Sequence, residues 1–190
     1  MPKIDLHCHL DGSLPPATIR VLAERAGIDL PDDPQRLNVM LTAPEDCRSL
    51  VEYLTRFELP VACLQTAENL YTAARDLAAE AARENVIYLE VRFAPLLSVN
   101  EQLSAEAVVR SVLEGLEEGR RSFGVNYGLI LCAMRQHPYE INEQLLPLAE
   151  KYLGFGVVAM DLAGDEKGYS AYKHRQLFEE VSRRGIPYTI

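Results

Sequence analysis

Two histidines separated by a single residue, His7 and His9, are the sharpest chemical signal in the sequence. His7 lies in the short segment Ile4–Cys8, whose composition is typical of a β-strand, and His9 follows this segment directly. Because alternate residues of a strand point to the same face, both imidazoles could bind one metal ion from the same side. From spacing alone, metal binding and an ordinary polar strand end are equally good interpretations, since a two-histidine motif is short.

Strand-like and helical segments alternate along the rest of the chain, and this pattern predicts parallel βα units. A doubly wound sheet and a (β/α)₈ barrel both fit, but no Gly-x-Gly-x-x-Gly follows the first strand, which weakens the dinucleotide-binding form. Four units and the start of a fifth strand correspond to half of an eight-fold barrel. The predicted strands are Ile4–Cys8, Val86–Phe93, Tyr127–Met134, Val157–Leu162 and Ile186–Ile190.

The helical patterns complete this α/β prediction. No repeat, linker or second domain interrupts the chain, and residues 29–44, rich in proline and aspartate, are predicted to be an irregular excursion. A bend is expected at Pro60, which lacks a backbone donor. The predicted helices are Ala17–Ala26, Ser49–Gln65, Ala67–Glu84, Ser104–Ser122, Ile141–Tyr152 and Ala171–Arg184.

Composition narrows the classes of partner. A net charge of -9 over 190 residues counts against nucleic acid and disfavours a polyanionic substrate, so a neutral small molecule fits better. No apolar run approaches the roughly 20 residues of a membrane-spanning helix, and a membrane partner is not expected. The four cysteines are scattered without a Cys-x-x-Cys pair, which favours reduced thiols in a cytoplasmic protein.

Residues 5–13, Asp-Leu-His-Cys-His-Leu-Asp-Gly-Ser, resemble the opening motif of the adenosine deaminase family. Three further stretches resemble family motifs in the same order and approximate spacing: Glu90–Pro95, Leu129–Arg135 and Asp161–Glu166. The resemblance covers Lys3 to Ile190. It implies that residues 1–190 are the N-terminal half of a single (β/α)₈ TIM-barrel domain of the metal-dependent amidohydrolase type.

The resemblance also implies roles for particular residues. His7 and His9 match the first two protein ligands of one Zn²⁺ ion, and His9 is expected to lie against the substrate as well. Asp11 matches a residue that hydrogen-bonds the ribose, and Gly164 matches a glycine whose amide meets the purine ring. The third histidine ligand and the proton-shuttling glutamate belong to a His-Ala-Gly-Glu motif expected after Ile190, so no catalytic residue is assigned within the chain. Without the family, Asp11 and Gly164 would be interpreted as turn residues.

The implied reaction is zinc-dependent hydrolysis of adenosine, and of 2′-deoxyadenosine, to the inosine product and ammonia, in which zinc activates water and a glutamate moves protons. The 190 residues alone are expected to bind zinc weakly and to be inactive. One alternative is a deaminase of adenine or of a modified 6-aminopurine nucleoside; Asp11 favours a nucleoside, because relatives that act on the free base tend to have glutamate there. Another is a non-catalytic half barrel that pairs with a complementary C-terminal half or with itself through open strand edges.

Other conspicuous residues are interpreted as structural. Glu90 and Arg92 share a strand face and are expected to form an ion pair inside the barrel. His137 and His174 match no family ligand and are expected at the surface or in loops, and the charged run Glu114–Arg121 is expected to be a solvated helix face. Three residues lie at helical spacing: Tyr53, Leu54 and Phe57. Their pattern fits core packing, and the resemblance implies that the matching helix also covers the substrate pocket.

Overall fold

Four parallel strands form one sheet in a computed structural model that describes residues 1–190. The strands lie in sequence order, each hydrogen-bonded to the next. This order and the helices between the strands confirm the predicted βα alternation. The strands are β1 (Lys3–His9), β2 (Val86–Phe93), β3 (Asn126–Met134) and β4 (Val157–Ala163).

The helices connect the strands and cover one face of the sheet. None of them has both the length and the apolar composition needed to cross a bilayer. Short 3₁₀ turns occur at Thr55–Phe57, Pro95–Leu97 and Ala171–His174. The α-helices are α1 (Pro16–Ala26), α2 (Pro34–Leu41), α3 (Leu50–Leu54), α4 (Glu58–Cys63), α5 (Ala67–Arg83), α6 (Ala105–Phe123), α7 (Tyr139–Asn142), α8 (Leu145–Tyr152) and α9 (Arg175–Arg183).

The excursion at residues 29–44 is not irregular throughout, because it contains α2. The side chain of Asp33 accepts a hydrogen bond from the Gln35 backbone N–H and so caps the helix. Pro34 occupies the first helical position, where its missing N–H costs nothing. The prediction missed this helix because proline and aspartate were interpreted as turn residues, whereas together they are also a helix-start signal.

The predicted helix Ser49–Gln65 is broken, but the break lies one turn before Pro60. The chain passes through α3, the 3₁₀ turn Thr55–Phe57 and then α4. In a continuous helix the N–H of residue 60 would bond the carbonyl of Arg56, and proline has no such donor. The missing hydrogen bond therefore disrupts the helix at the Arg56 carbonyl, within the 3₁₀ turn, and not at Pro60 itself.

Two other predicted boundaries differ from the structure. The segment Ile141–Tyr152 is divided between α7 and α8. Ile186–Ile190 is reduced to a short stretch paired with β4, in which the Met160 N–H donates to the Pro187 carbonyl at 2.9 Å and the Thr189 N–H donates to the Met160 carbonyl at 3.0 Å. A fifth extended segment therefore begins next to β4, as predicted, without forming a full strand.

The two faces of the sheet have different chemistry. The outer face, which includes Leu89, Val91 and Phe93 of β2, joins the helices in an apolar cluster of 39 buried residues. The alternate residues of β2 and β4 point to the opposite, inner face. There the buried side chains include the charged pair Arg92 and Asp161. Hydrophobic burial is thus concentrated on the helix side of the sheet.

Close packing of α5 against α6 depends on two buried glycines of α6. A Cβ at Gly115 would overlap the Tyr71 carbonyl oxygen, and a Cβ at Gly119 would overlap the Ala78 methyl group. Both neighbours belong to α5 and neither is the flexible end of a long side chain. The absence of side chains at these positions therefore sets the distance between the two helices.

We expect Gly115→Ala to lower the free energy of unfolding by about 1–3 kcal/mol, the usual effect of overpacking. In an exposed helix the same change stabilises by up to about 1 kcal/mol, so the sign of the effect reports the packing. Urea denaturation measures it, with Glu114→Ala on the exposed face of α6 as the matched control. A stabilised Gly115→Ala variant would contradict the interhelical contact.

Candidate active site

His7 and His9 lie side by side at the carboxyl end of β1. Their ring centroids are 5.4 Å apart, with the ring planes inclined by 41°. The Phe57 and His9 rings pack in a T-shaped arrangement at a centroid distance of 5.9 Å. Burial, and secondarily the charge of His7, lowers the pKa of His9, which favours the neutral imidazole that binds metals. The pair has the chemistry and proximity expected of two ligands of one ion.

The described residues bring no third ligand to this pair. No cluster of three or more histidine, cysteine, aspartate or glutamate side chains has the geometry to hold a metal. A zinc site in a protein is usually tetrahedral, with three protein ligands and one open position in catalytic sites. The two imidazoles therefore fit zinc as part of a ligand set, and residues 1–190 do not complete that set.

A buried ion pair lies on the inner face of the sheet, but its members are not those predicted. Arg92 Nη1 donates to Asp161 Oδ2 at 2.7 Å, and the two side chains are 5% and 8% exposed. Glu90 instead accepts a hydrogen bond from the Tyr88 hydroxyl at 3.1 Å. The predicted Glu90–Arg92 ion pair is thus wrong, because Arg92 pairs with Asp161. The buried Asp161 carboxylate needs a countercharge more than the half-buried Glu90 does.

Both members of the Arg92–Asp161 pair make further contacts, although Arg92 Nε is buried without a hydrogen-bond partner. Asp161 Oδ1 accepts a hydrogen bond from the Thr189 hydroxyl at 2.7 Å. The Cys132 thiol lies 3.8 Å from Asp161 Oδ2, and burial followed by the charge of Asp161 raises its pKa well above the ordinary value, so it remains a donor. Arg92 Nη2 donates to the Leu6 carbonyl of β1 at 3.3 Å. The network therefore reaches the strand that carries the two histidines.

Asp11 lies just beyond β1 and is buried, with 9% of its surface exposed. Its Oδ1 has no hydrogen-bond partner, and burial raises the pKa of the carboxyl to about 6. An unpaired buried carboxylate oxygen is costly and is a ready acceptor for a ligand hydroxyl. Asp11 belongs to the lining of a cavity of about 40 Å³, together with Gly12, Leu14, Leu41, Tyr53, Arg56, Phe57 and Pro60.

Phe57 closes over the loop that carries Asp11. A Cβ at Gly12 would lie 2.8 Å from the Phe57 ring, so only glycine admits this approach. Tyr53 packs edge-on against Phe57 at 5.5 Å and is itself exposed. Of the two interpretations of these aromatic residues, lining of the pocket therefore describes Tyr53 better than core packing.

Gly164 is the first residue after β4 and has a φ of +111°, a conformation that favours glycine. A Cβ there would lie 2.9 Å from the Gln136 side-chain oxygen. The backbone hydrogen bonds outside the helices and strands include none donated by the Gly164 N–H. This amide is consequently free to donate to a ligand at the carboxyl edge of the sheet, the edge that also carries His9 and Asp11.

Arg135 holds the loop that follows Gly164. Its guanidinium donates to Glu166 at 3.0 Å and to the Tyr169 carbonyl at 3.4 Å. His174 is 4% exposed, and its Nε2 lies 3.0 Å from the Arg135 carbonyl, so the prediction of a surface histidine was wrong. The signal that could have revealed it is its place three residues before Leu177, on the apolar side of the following helix. His137 is half-buried in a loop.

Comparison with known proteins matches the whole chain to one family. The family model described as Adenosine deaminase matches residues 2–190. The adenosine deaminase of Enterococcus faecalis is 43% identical over 190 residues, which are 100% of this chain and 56% of that protein. The chain thus spans about half the length of the curated relatives it matches.

Solved structures extend the comparison to the fold. The adenine deaminase of Arthrobacter aurescens superimposes with a TM-score of 0.81 at 25% identity, covering 98% of this chain and 56% of that one. An amidohydrolase from Burkholderia ambifaria with bound zinc gives a TM-score of 0.84 at 18% identity, covering 99% and 51%. These neighbours are TIM-barrel amidohydrolases, so the four-stranded sheet is about half of such a barrel and the predicted fold class is confirmed.

Proposed function

Because the chain belongs to the adenosine deaminase family, we propose that the whole protein hydrolyses adenosine and 2′-deoxyadenosine to the corresponding inosine and ammonia in a zinc-dependent reaction. The observation that carries the proposal is the adjacency of His7 and His9 at the carboxyl end of β1. Active sites of (β/α)₈ barrels are built at this end of the strands.

His7 and His9 would hold one zinc ion together with ligands outside residues 1–190. When bound, zinc supplies a water molecule whose pKa is lowered towards neutrality. The burial of His9 keeps its imidazole neutral and therefore able to bind metal. Phe57, packed against His9 and Gly12, keeps bulk water away from this side of the site.

Asp11 and Gly164 would bind the substrate from opposite ends. The unpartnered Oδ1 of Asp11 accepts a hydrogen bond from a ribose hydroxyl, and the free amide of Gly164 donates to a purine ring nitrogen. A free base has no ribose with which to satisfy Asp11, so this carboxylate supports a nucleoside substrate over adenine. The only cation lining its cavity is Arg56, whose Nη1 already donates to the Val39 carbonyl at 3.1 Å, and this argues against a nucleotide phosphate.

Replacing Asp11 tests the substrate assignment. We expect Asp11→Ala in the whole protein to lower kcat/KM for adenosine by about 10- to 100-fold, the usual effect of losing a hydrogen bond to a charged group. Turnover of adenine, which lacks the ribose, should not fall with it. Product formation from adenosine, adenine and adenosine monophosphate measures the discrimination.

Asp46→Ala, which removes an exposed carboxylate that does not line the Asp11 cavity, is the matched control and should leave all three rates unchanged. Adenine or the nucleotide turned over faster than adenosine by the unmodified protein would replace the proposed substrate with that compound. An equal loss on adenosine and adenine would mean that Asp11 supports the fold of the site and does not bind ribose.

We expect residues 1–190 prepared alone to bind zinc weakly and to leave adenosine unchanged, because they supply two imidazoles and neither the third ligand nor the glutamate of the family. Competition with a chromophoric chelator measures the zinc affinity, and the His7→Ala/His9→Ala double variant provides the baseline. Adenosine turnover by a preparation whose intact mass matches the 21.3 kDa chain would refute this expectation.

We also expect residues 1–190 to bind a complementary C-terminal half or a second copy along β1. This strand lies at an edge of the sheet, and its Ile4 and Leu6 are 64% and 55% exposed. Unpaired backbone beside exposed apolar side chains favours strand association. In sedimentation velocity, Leu6→Lys should reduce self-association, whereas Val39→Lys, an equally apolar exposed position on α2, should not. A monodisperse monomer at all concentrations would contradict this expectation.

A further inference from the structure

β1 contains an irregularity immediately before its histidines. Asp5 pairs with Leu89 of β2 and Cys8 pairs with Val91, so three steps along β1 match two steps along β2. Leu6 and His7 have no paired residue on β2. Such a bulge leaves one residue outside the ladder and can re-aim a side chain beside an active site.

Side chains bind both polar groups of the peptide bond inside this bulge. The His7 N–H donates to Asp5 Oδ1 at 2.9 Å, and the Leu6 carbonyl accepts from Arg92 Nη2 at 3.3 Å. These two groups belong to the same planar peptide unit. Fixing both ends of that unit restricts its rotation, and with it the φ angle of His7 and the direction of the His7 Cα–Cβ bond.

Arg92 is itself held in place on the opposite side. Its other terminal nitrogen, Nη1, bonds Asp161 Oδ2 at 2.7 Å, and Asp161 Oδ1 is bonded by Thr189. The planar guanidinium has donors in fixed directions and can therefore reach two acceptors at once. The Leu6 carbonyl is thus tied to a fixed point on β4, three strands away in the sheet.

We propose that Asp5 and Arg92 are positioning residues that orient the His7 imidazole by binding the two ends of the Leu6–His7 peptide bond. The inference rests on the proposed zinc site, for which His7 must point in the same direction as His9. Neither residue ligates the metal in this arrangement. They act through the backbone, so their removal weakens metal binding only where His7 takes part in it.

Variants of Asp5 give the cleanest test, because Asp5 is exposed and its loss leaves no buried charge unpaired. We expect Asp5→Ala to weaken zinc affinity by about 10-fold, as for other residues that orient a ligand. Asp5→Asn keeps an acceptor oxygen and should restore affinity close to that of the unmodified protein. In the His7→Ala background, Asp5→Ala should have no further effect. Chelator competition measures the zinc affinity of the unmodified protein and of the four variants, and thermal unfolding verifies that each variant is folded.

A purely electrostatic role of Asp5 gives a different pattern and would overturn the inference. A nearby negative charge attracts zinc whether or not His7 is present, so Asp5→Asn would then weaken binding as much as Asp5→Ala. Asp5→Ala would also weaken binding further in the His7→Ala background. Unchanged affinity of Asp5→Ala, with His7→Ala weakened, overturns the inference while leaving the zinc site intact.

Arg92→Lys provides the second arm. Lysine keeps the charge beside Asp161 but cannot bond Asp161 and the Leu6 carbonyl with the same fork, so affinity should fall in the direction of Asp5→Ala. Arg135→Lys is the matched control, since Arg135 is equally buried, is paired with Glu166 and makes no hydrogen bond to β1. Equal losses in both lysine variants would overturn the assignment of Arg92.

Failure of the proposed zinc site is distinguishable from failure of the inference. If His7→Ala binds zinc as well as the unmodified protein, the zinc ligand assignment is wrong. The inference is then decided in metal-free protein by the NMR couplings that report the χ1 angle of His7. A change in Asp5→Ala that is absent in Asp5→Asn supports the positioning role, and unchanged couplings in both overturn it.

Discussion

The buried ion pair of Arg92 and Asp161 is the interaction on which the inner face of the sheet depends. The contacts of this pair join all four strands and the segment after them, with one residue on each: Leu6, Arg92, Cys132, Asp161 and Thr189. Removing one partner of a buried pair typically costs about 3–5 kcal/mol, because the other charge is left without compensation. The polar interior is tolerated since most of its groups bond one another, Arg92 Nε being buried without a partner. The same bonds tie together strands that are not neighbours.

This network allows the two faces of the sheet to serve different purposes. The outer face and the helices supply the hydrophobic burial, including the α5–α6 contact that admits only glycine at residues 115 and 119. The inner face adds little apolar burial and instead presents imidazole, carboxylate and guanidinium groups towards the carboxyl ends of the strands. Asp11 differs from Asp161, because one of its carboxylate oxygens is buried without a hydrogen-bond partner. A buried polar atom without a hydrogen-bond partner is rare in a stable core, whereas in a binding site such an atom can bond a ligand.

The sequence predicts well those features that depend on neighbours along the chain. Strand and helix periodicity locates all four strands, and the spacing of His7 and His9 identifies the candidate ligands without reference to the fold. The partner of Arg92 could not be found in this way, because Asp161 lies 69 residues away and only the register of β2, β3 and β4 brings the two together. Burial of His174 was missed although its spacing to Leu177 is a local signal, and the contact of its ring with the Arg135 carbonyl joins residues 39 apart in sequence. The bulge at Leu6 and His7 has no sequence signal that distinguishes it from a regular strand.

The position of β1 in the sheet explains why its geometry needs help from side chains. An inner strand is held by ladders of backbone hydrogen bonds on both sides, whereas β1 is paired only with β2. At the bulge even that ladder is interrupted, at the residue that must aim an imidazole. Asp5 and Arg92 bind the Leu6–His7 peptide unit inside the bulge, and Arg92 is itself bonded to Asp161 of β4. The direction of the His7 side chain is therefore determined by contacts within residues 1–190 and does not require a second strand paired along the open edge of β1.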